Sequence, residues 1–199
     1  MTLSEALDRA DRALREVCDA TEVEWVVVDN KTQLVLEYFS TALEHQSAII
    51  LLVRAKHRGS ALALVRSVYE IIYRAMWVMS CAKPEDVEKI KKDTFAFPGM
   101  GTLVAEIDAA LTTSFFSNIK KLGWNIQNAF THTGRSQRIG RVKSSSTEWV
   151  DYPEKGMILQ VDCAMQMLII FAIFLVKSHG YKEAAARLDK LAEIFVTER

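Results

Sequence analysis

The sequence predicts an all-α protein, a bundle of four main long helices with shorter helices appended, and three observations carry that prediction. Half of the 199 residues are hydrophobic while only three are Pro and eight Gly, a composition of long helices with few turns. Ser60–Ala82 (SALALVRSVYEIIYRAMWVMSCA) is apolar around the whole helical circumference, so neighbouring helices must surround it. Glu24–Val28 (EWVVV) is locally strand-like, but no second convincing strand can pair with it. It reads as a helix turn or an extended connector. A chain of this length suits one domain, residues 1–199, with a substantial core.

The elements follow in order. Thr2-x-x-Glu5 forms a capping box that opens a helix through about Asp19, with Leu3, Leu7, Ala10, Leu14 and Val17 at helical spacing. Asp29 or Asn30 caps a second helix reaching about His57, where Arg54, Lys56, His57 and Arg58 complement the negative end of the helix dipole. Gly59 then supplies the turn and Ser60 caps the central helix. Pro84 starts a short charged helix to about Asp93, and TFAFPGMG is a loop. Thr102 starts a helix to about Leu111, and Thr113 or Ser114 caps another through about Thr131. A polar loop from Gly134 to Pro153 leads into a long apolar helix from about Glu154 to Ser178, stopped at Gly180. A last amphipathic helix, Lys182–Val196, turns Ala185, Leu188, Leu191 and Phe195 inward.

Charge and cysteine usage narrow the function. Formal net charge is zero, so no global field favours nucleic acid or a membrane. Three unpaired-looking cysteines (Cys18, Cys81, Cys163) argue against a disulfide framework or a zinc site and fit a reducing cytoplasm. The polar opening MTLSEALDR is not that of a secretory signal. The apolar run Met167–Val176 is ten residues, too short to span a bilayer, so the helix around it is expected to be a buried bundle helix.

Two charge patterns point to a site. Arg66, Glu70 and Arg74 are the only ionised residues of the central helix, and four-residue steps align them on one face. Buried charge costs several kcal/mol unless paired, so this line is either an ion-pair ladder between helices or the border of a wet cleft. Secondly, Ala109–Thr147 holds no Asp or Glu where about five are expected at the chain's average. It does hold Lys120, Lys121, Arg135, Arg138, Arg141, Lys143 and His132. That is either an anion-binding patch or a basic face offset by Glu85, Asp86 or Glu88. Asn125, Asn128 and His132 share one helical face there, and a histidine can act as general acid or base. The chain has no P-loop, G-x-G-x-x-G, G-x-S-x-G or paired-histidine metal motif, so neither metal nor cofactor is expected.

These residues carry a resemblance. His45, then Gly59-Ser60-Ala61, Arg66, Glu70, Arg74 and Trp77, followed by Asn128 and His132-Thr133-Gly134, resemble an uncharacterised bacterial family of HEPN-like helical proteins. The resemblance covers roughly residues 44–141. It implies an up-down four-helix bundle that forms a homodimer and binds RNA or a nucleotide, as a metal-independent endoribonuclease in a toxin or phage-defence setting. Active HEPN ribonucleases pair an Arg with a His four to six residues later; here Asn125 or Asn128 stands in that place, so the cation must come from elsewhere. By resemblance, His132 handles the proton, Arg66 and Arg74 hold the scissile phosphate, and Glu70 orients the arginines. Asn125, Asn128, Arg135, Gln137 and Arg138 would contact substrate. The rival expectation is a non-catalytic interaction module, an antitoxin or a regulatory subunit, in which Arg66, Glu70 and Arg74 form a structural ladder.

Overall fold

The computed structural model describes residues 1–131 and 153–197, with only the backbone described at residues 122 and 125–131. Among the described residues every regular element is a helix. In chain order these are α1 (Leu3–Thr21), α2 (Asn30–Arg54), α3 (Arg58–Ser80), α4 (Pro84–Lys91), α5 (Met100–Ala110), α6 (Phe115–Thr131), α7 (Glu154–Ser178) and α8 (Lys182–Thr197). The protein is an all-α helical bundle. The split into long and short helices is less sharp than expected: α1, α2, α3 and α7 have 19, 25, 23 and 25 residues, but α6 and α8 still have 17 and 16.

Local chemistry explains the ends of the helices. At the start of α1 the capping box closes both ways: Glu5 N–H donates to Thr2 Oγ1 at 3.3 Å, and Thr2 N–H donates to Glu5 Oε2 at 2.7 Å. Asp29 caps α2 by accepting from Thr32 N–H at 2.7 Å. The turn after α2 differs from expectation. The helix ends at Arg54, Lys56 takes the left-handed conformation (φ 62°), and Gly59 and Ser60 already lie inside α3. A non-glycine residue there accepts a cost that packing of α2 against α3 outweighs. At Gly180 (φ 78°) the expected glycine turn between α7 and α8 is found.

Packing follows the sequence pattern. α2 lies along α3, α3 along α7, and α7 along both α1 and α8, so the buried residues form one contiguous core with members from all eight described helices. α7 as a whole, unlike its ten-residue run, is long and apolar enough to cross a membrane by length and composition. Within this fold many of its apolar side chains, among them Met157, Val161, Leu168, Phe171 and Val176, are core residues, while Leu159 is exposed. Between α1 and α2, Glu24–Val28 forms no regular element. Trp25 anchors it against His179 and Tyr181, at ring centroid distances of 5.5 and 5.1 Å, while Val26, Val27 and Val28 remain exposed.

Candidate functional site

The charge line of α3 opens onto a cleft of about 460 Å³. Arg66, Glu70 and Arg74 form one wall, so the line borders a cleft. Side-chain exposures of 16%, 29% and 39% mark it as half-open rather than sealed. Glu70 joins the two cations: Arg74 Nη2 donates to its Oε1 at 2.5 Å, and Arg66 Nη2 lies 3.8 Å from its Oε2. These two contacts run along one helix, where residues four apart are neighbours.

Aromatic rings complete the walls, and the folding of two other segments puts them there. The loop after α4 crosses α3 because Phe95 and Phe97 pack on Trp77, with centroids 5.3 and 5.8 Å away. Trp77 Nε1–H donates to Glu106 Oε2 at 2.6 Å and ties α3 to α5. This leaves the guanidinium of Arg74 5.0 Å from the centre of the Phe97 ring. On the other side α6 is set by a carboxylate. Asp108, buried on α5, accepts from Phe116 N–H at 3.0 Å and Ser117 N–H at 2.8 Å, capping the first turn of α6 across the helix junction. Thr113, one of the two caps the sequence suggests, adds to this by accepting from Phe115 N–H at 3.2 Å. From that anchored start α6 carries Trp124 over Arg66, with the guanidinium 4.9 Å from the ring centre.

Asp93, Tyr38, Pro98, Gly99 and Met100 line the remainder. Two arginines thus face two carboxylates, Glu70 and Asp93, and the cleft is dipolar rather than uniformly positive. Burial pushes the Tyr38 phenol above its ordinary value. Deeper in the core, Tyr73 is fully buried and its hydroxyl has no hydrogen-bond partner among the described residues; burial raises this phenol far more, so it stays neutral. Chemically, the site offers two ring-backed guanidinium groups, each about one helical turn from the carboxylate between them. Such an arrangement suits an anion carrying a planar group.

The structure brings together Arg66, Glu70 and Arg74 from the sequence-derived set. Asn125 and Asn128 fall on α6, of which only the backbone is described there. His132, Arg135, Gln137 and Arg138 lie outside the described residues, as do Arg141 and Lys143. Trp124 reads from the sequence as a core or cleft-wall residue, and it is a wall of this cleft. Sequence reasoning missed the two phenylalanines of TFAFPGMG, which carry no positional signal because only tertiary packing places them on α3. Of the acids suggested as partners of the basic window, Asp86 caps its own helix (Lys83 N–H at 3.1 Å) and Glu88 accepts from Asn30 at 2.6 Å. Among the described residues no three His, Cys, Asp or Glu side chains gather where a metal could be held.

No curated protein and no solved structure matches the chain. One family pattern does, over residues 39–198, and that span takes in every residue lining the cleft except Tyr38. On that match the chain belongs to the Family of unknown function (DUF6988).

Proposed function

We propose that this is an HEPN-like, cytoplasmic, dimeric protein that binds RNA or a nucleotide through the cleft on α3, acting as a metal-independent endoribonuclease of a toxin or phage-defence system. The observation that carries the reading is the convergence of Arg66 and Arg74, each backed by an aromatic ring, on a cleft that α6 borders. Phosphate would take the guanidinium edges, and a base would stack on the exposed ring faces. Trp124 lies eight residues before His132 in sequence, so the helix that borders the cleft leads toward the imidazole assigned to proton transfer. Glu70 would hold the two guanidinium groups apart until the anion arrives.

The test is RNA affinity across a salt series. Arg66→Ala combined with Arg74→Ala should weaken single-stranded RNA binding at least tenfold and flatten the salt dependence, because each lost phosphate contact removes about 0.7 from the logarithmic slope. His132→Ala should abolish cleavage while leaving helicity unchanged. Undiminished binding in the double variant removes the cleft from the function.

One observation favours a second reading, the non-catalytic interaction module. Glu70 already engages both arginines, so the line is satisfied without any anion. Absence of RNA binding by the wild-type protein at low salt would select that reading.

A further inference from the structure

A second cleft, on the opposite charge pattern from the first, lies between α1 and α8. It measures about 380 Å³ and is lined by Arg9, Arg12, Glu16, Arg187 and Lys190 together with an apolar wall of Ala13, Leu191, Ile194 and Phe195. We propose that this cleft binds a small organic phosphate, its dianionic head among the four cations and its apolar body against the α8 wall.

Arg9 carries the argument. It is 4% exposed, and a guanidinium taken that far from water needs its donors matched. One donor is: Arg9 Nη2 bonds Asp162 Oδ2 at 2.5 Å, and the group lies 4.6 Å above the Phe195 ring. Among the described residues Arg9 Nε and Nη1 have no partner, and neither has Asp162 Oδ1. Buried polar atoms in folded proteins rarely stay unmatched, so an acceptor entering the cleft meets a guanidinium still short of hydrogen bonds.

Charge fixes the class of ligand. Asp162 offsets Arg9, and Glu16 Oε1 offsets Arg187 with contacts of 2.8 and 3.1 Å. Arg12 and Lys190 have no ion pair or hydrogen bond among the described residues. The cleft therefore keeps a surplus of two positive charges, which a phosphate monoester dianion matches. The planar guanidinium fork suits phosphate oxygens. The volume lies in the range of small-molecule sites, and the hydrocarbon wall gives the ester group a place to bury. In the α3 cleft, by contrast, acids and bases balance. Arg9, Arg12 and Glu16 precede the family-matched span, whereas Arg187, Lys190 and the α8 wall lie inside it.

Cyclohexyl phosphate, which lacks the planar group that the α3 cleft suits, tests the proposal when titrated calorimetrically into the full chain at fixed ionic strength. Saturable one-to-one binding is expected, with cyclohexanol silent. R12A/K190A, two exposed positions, should weaken it tenfold to a hundredfold, the size of lost charge-assisted hydrogen bonds. R66A/R74A should leave it unchanged, which separates this site from the α3 cleft. Should R12A/K190A not fold, R12Q/K190Q gives the same reading. No saturable heat, or equal affinity in R12A/K190A, overturns the proposal. So does loss of binding in R66A/R74A, or adsorption to phosphatidic-acid vesicles without binding of cyclohexyl phosphate.

Discussion

Arg9–Asp162 and Arg74–Glu70 are ion pairs of the same length, 2.5 Å, yet they inhabit different solvents. The first joins α1 to α7 with both side chains at 4–5% exposure; the second runs along α3 with its members at 39% and 29%. In water the attraction between two charges at contact is small and is offset by the entropy of holding two long side chains. In the interior both attraction and desolvation grow, and removing one partner strands the other. Contact length does not rank these pairs. Surroundings do, and they separate a pair sealed in the core from one that stands at a half-open cleft.

Three substitutions probe that contrast, the largest effect first. Asp162→Ala should destabilise by about 3–5 kcal/mol, because Arg9 is left charged and buried. Replacing both partners by apolar residues (R9M/D162L) should recover most of it; denaturant unfolding reads both, and an equal loss in the double variant would show that the pair itself stabilises. Asp108→Ala comes next, at about 2 kcal/mol, since two first-turn N–H groups of α6 lose their acceptor. Its fluorescence should also report Trp124 leaving Arg66, whereas an unmoved spectrum would mean α6 is positioned by packing alone. Glu70→Ala should cost less than about 1 kcal/mol, and less again at high salt. A loss as large as that of Asp162→Ala would mean the α3 line is structural after all.

Much of this was legible in the residues. The capping boxes and helix stops at Thr2, Asp29 and Pro84 act through partners three or four positions away, so sequence exposes them directly. The alignment of Arg66, Glu70 and Arg74 is equally local. Arg9 left a fainter trace: it sits within the apolar stripe of α1, between Ala6, Ala10 and Ala13, and Asp162 interrupts an apolar helix. Each is visible as an anomaly, but their partnership spans 153 positions. The Gly59 expectation failed because Arg54 ended α2 earlier and Lys56 adopted the left-handed turn that glycine usually supplies.

Sequence by itself determined the helices, their inward faces and the row of charges on α3, since all of these depend on a helical period acting within a few residues. Only the tertiary structure decided which charges are buried and which are wet. It also decided that the rings of α6 and of the α4–α5 loop stand behind Arg66 and Arg74. The physical reason is that dielectric surroundings and ring contacts belong to pairs of segments distant in the chain, and no local pattern encodes which segments will meet.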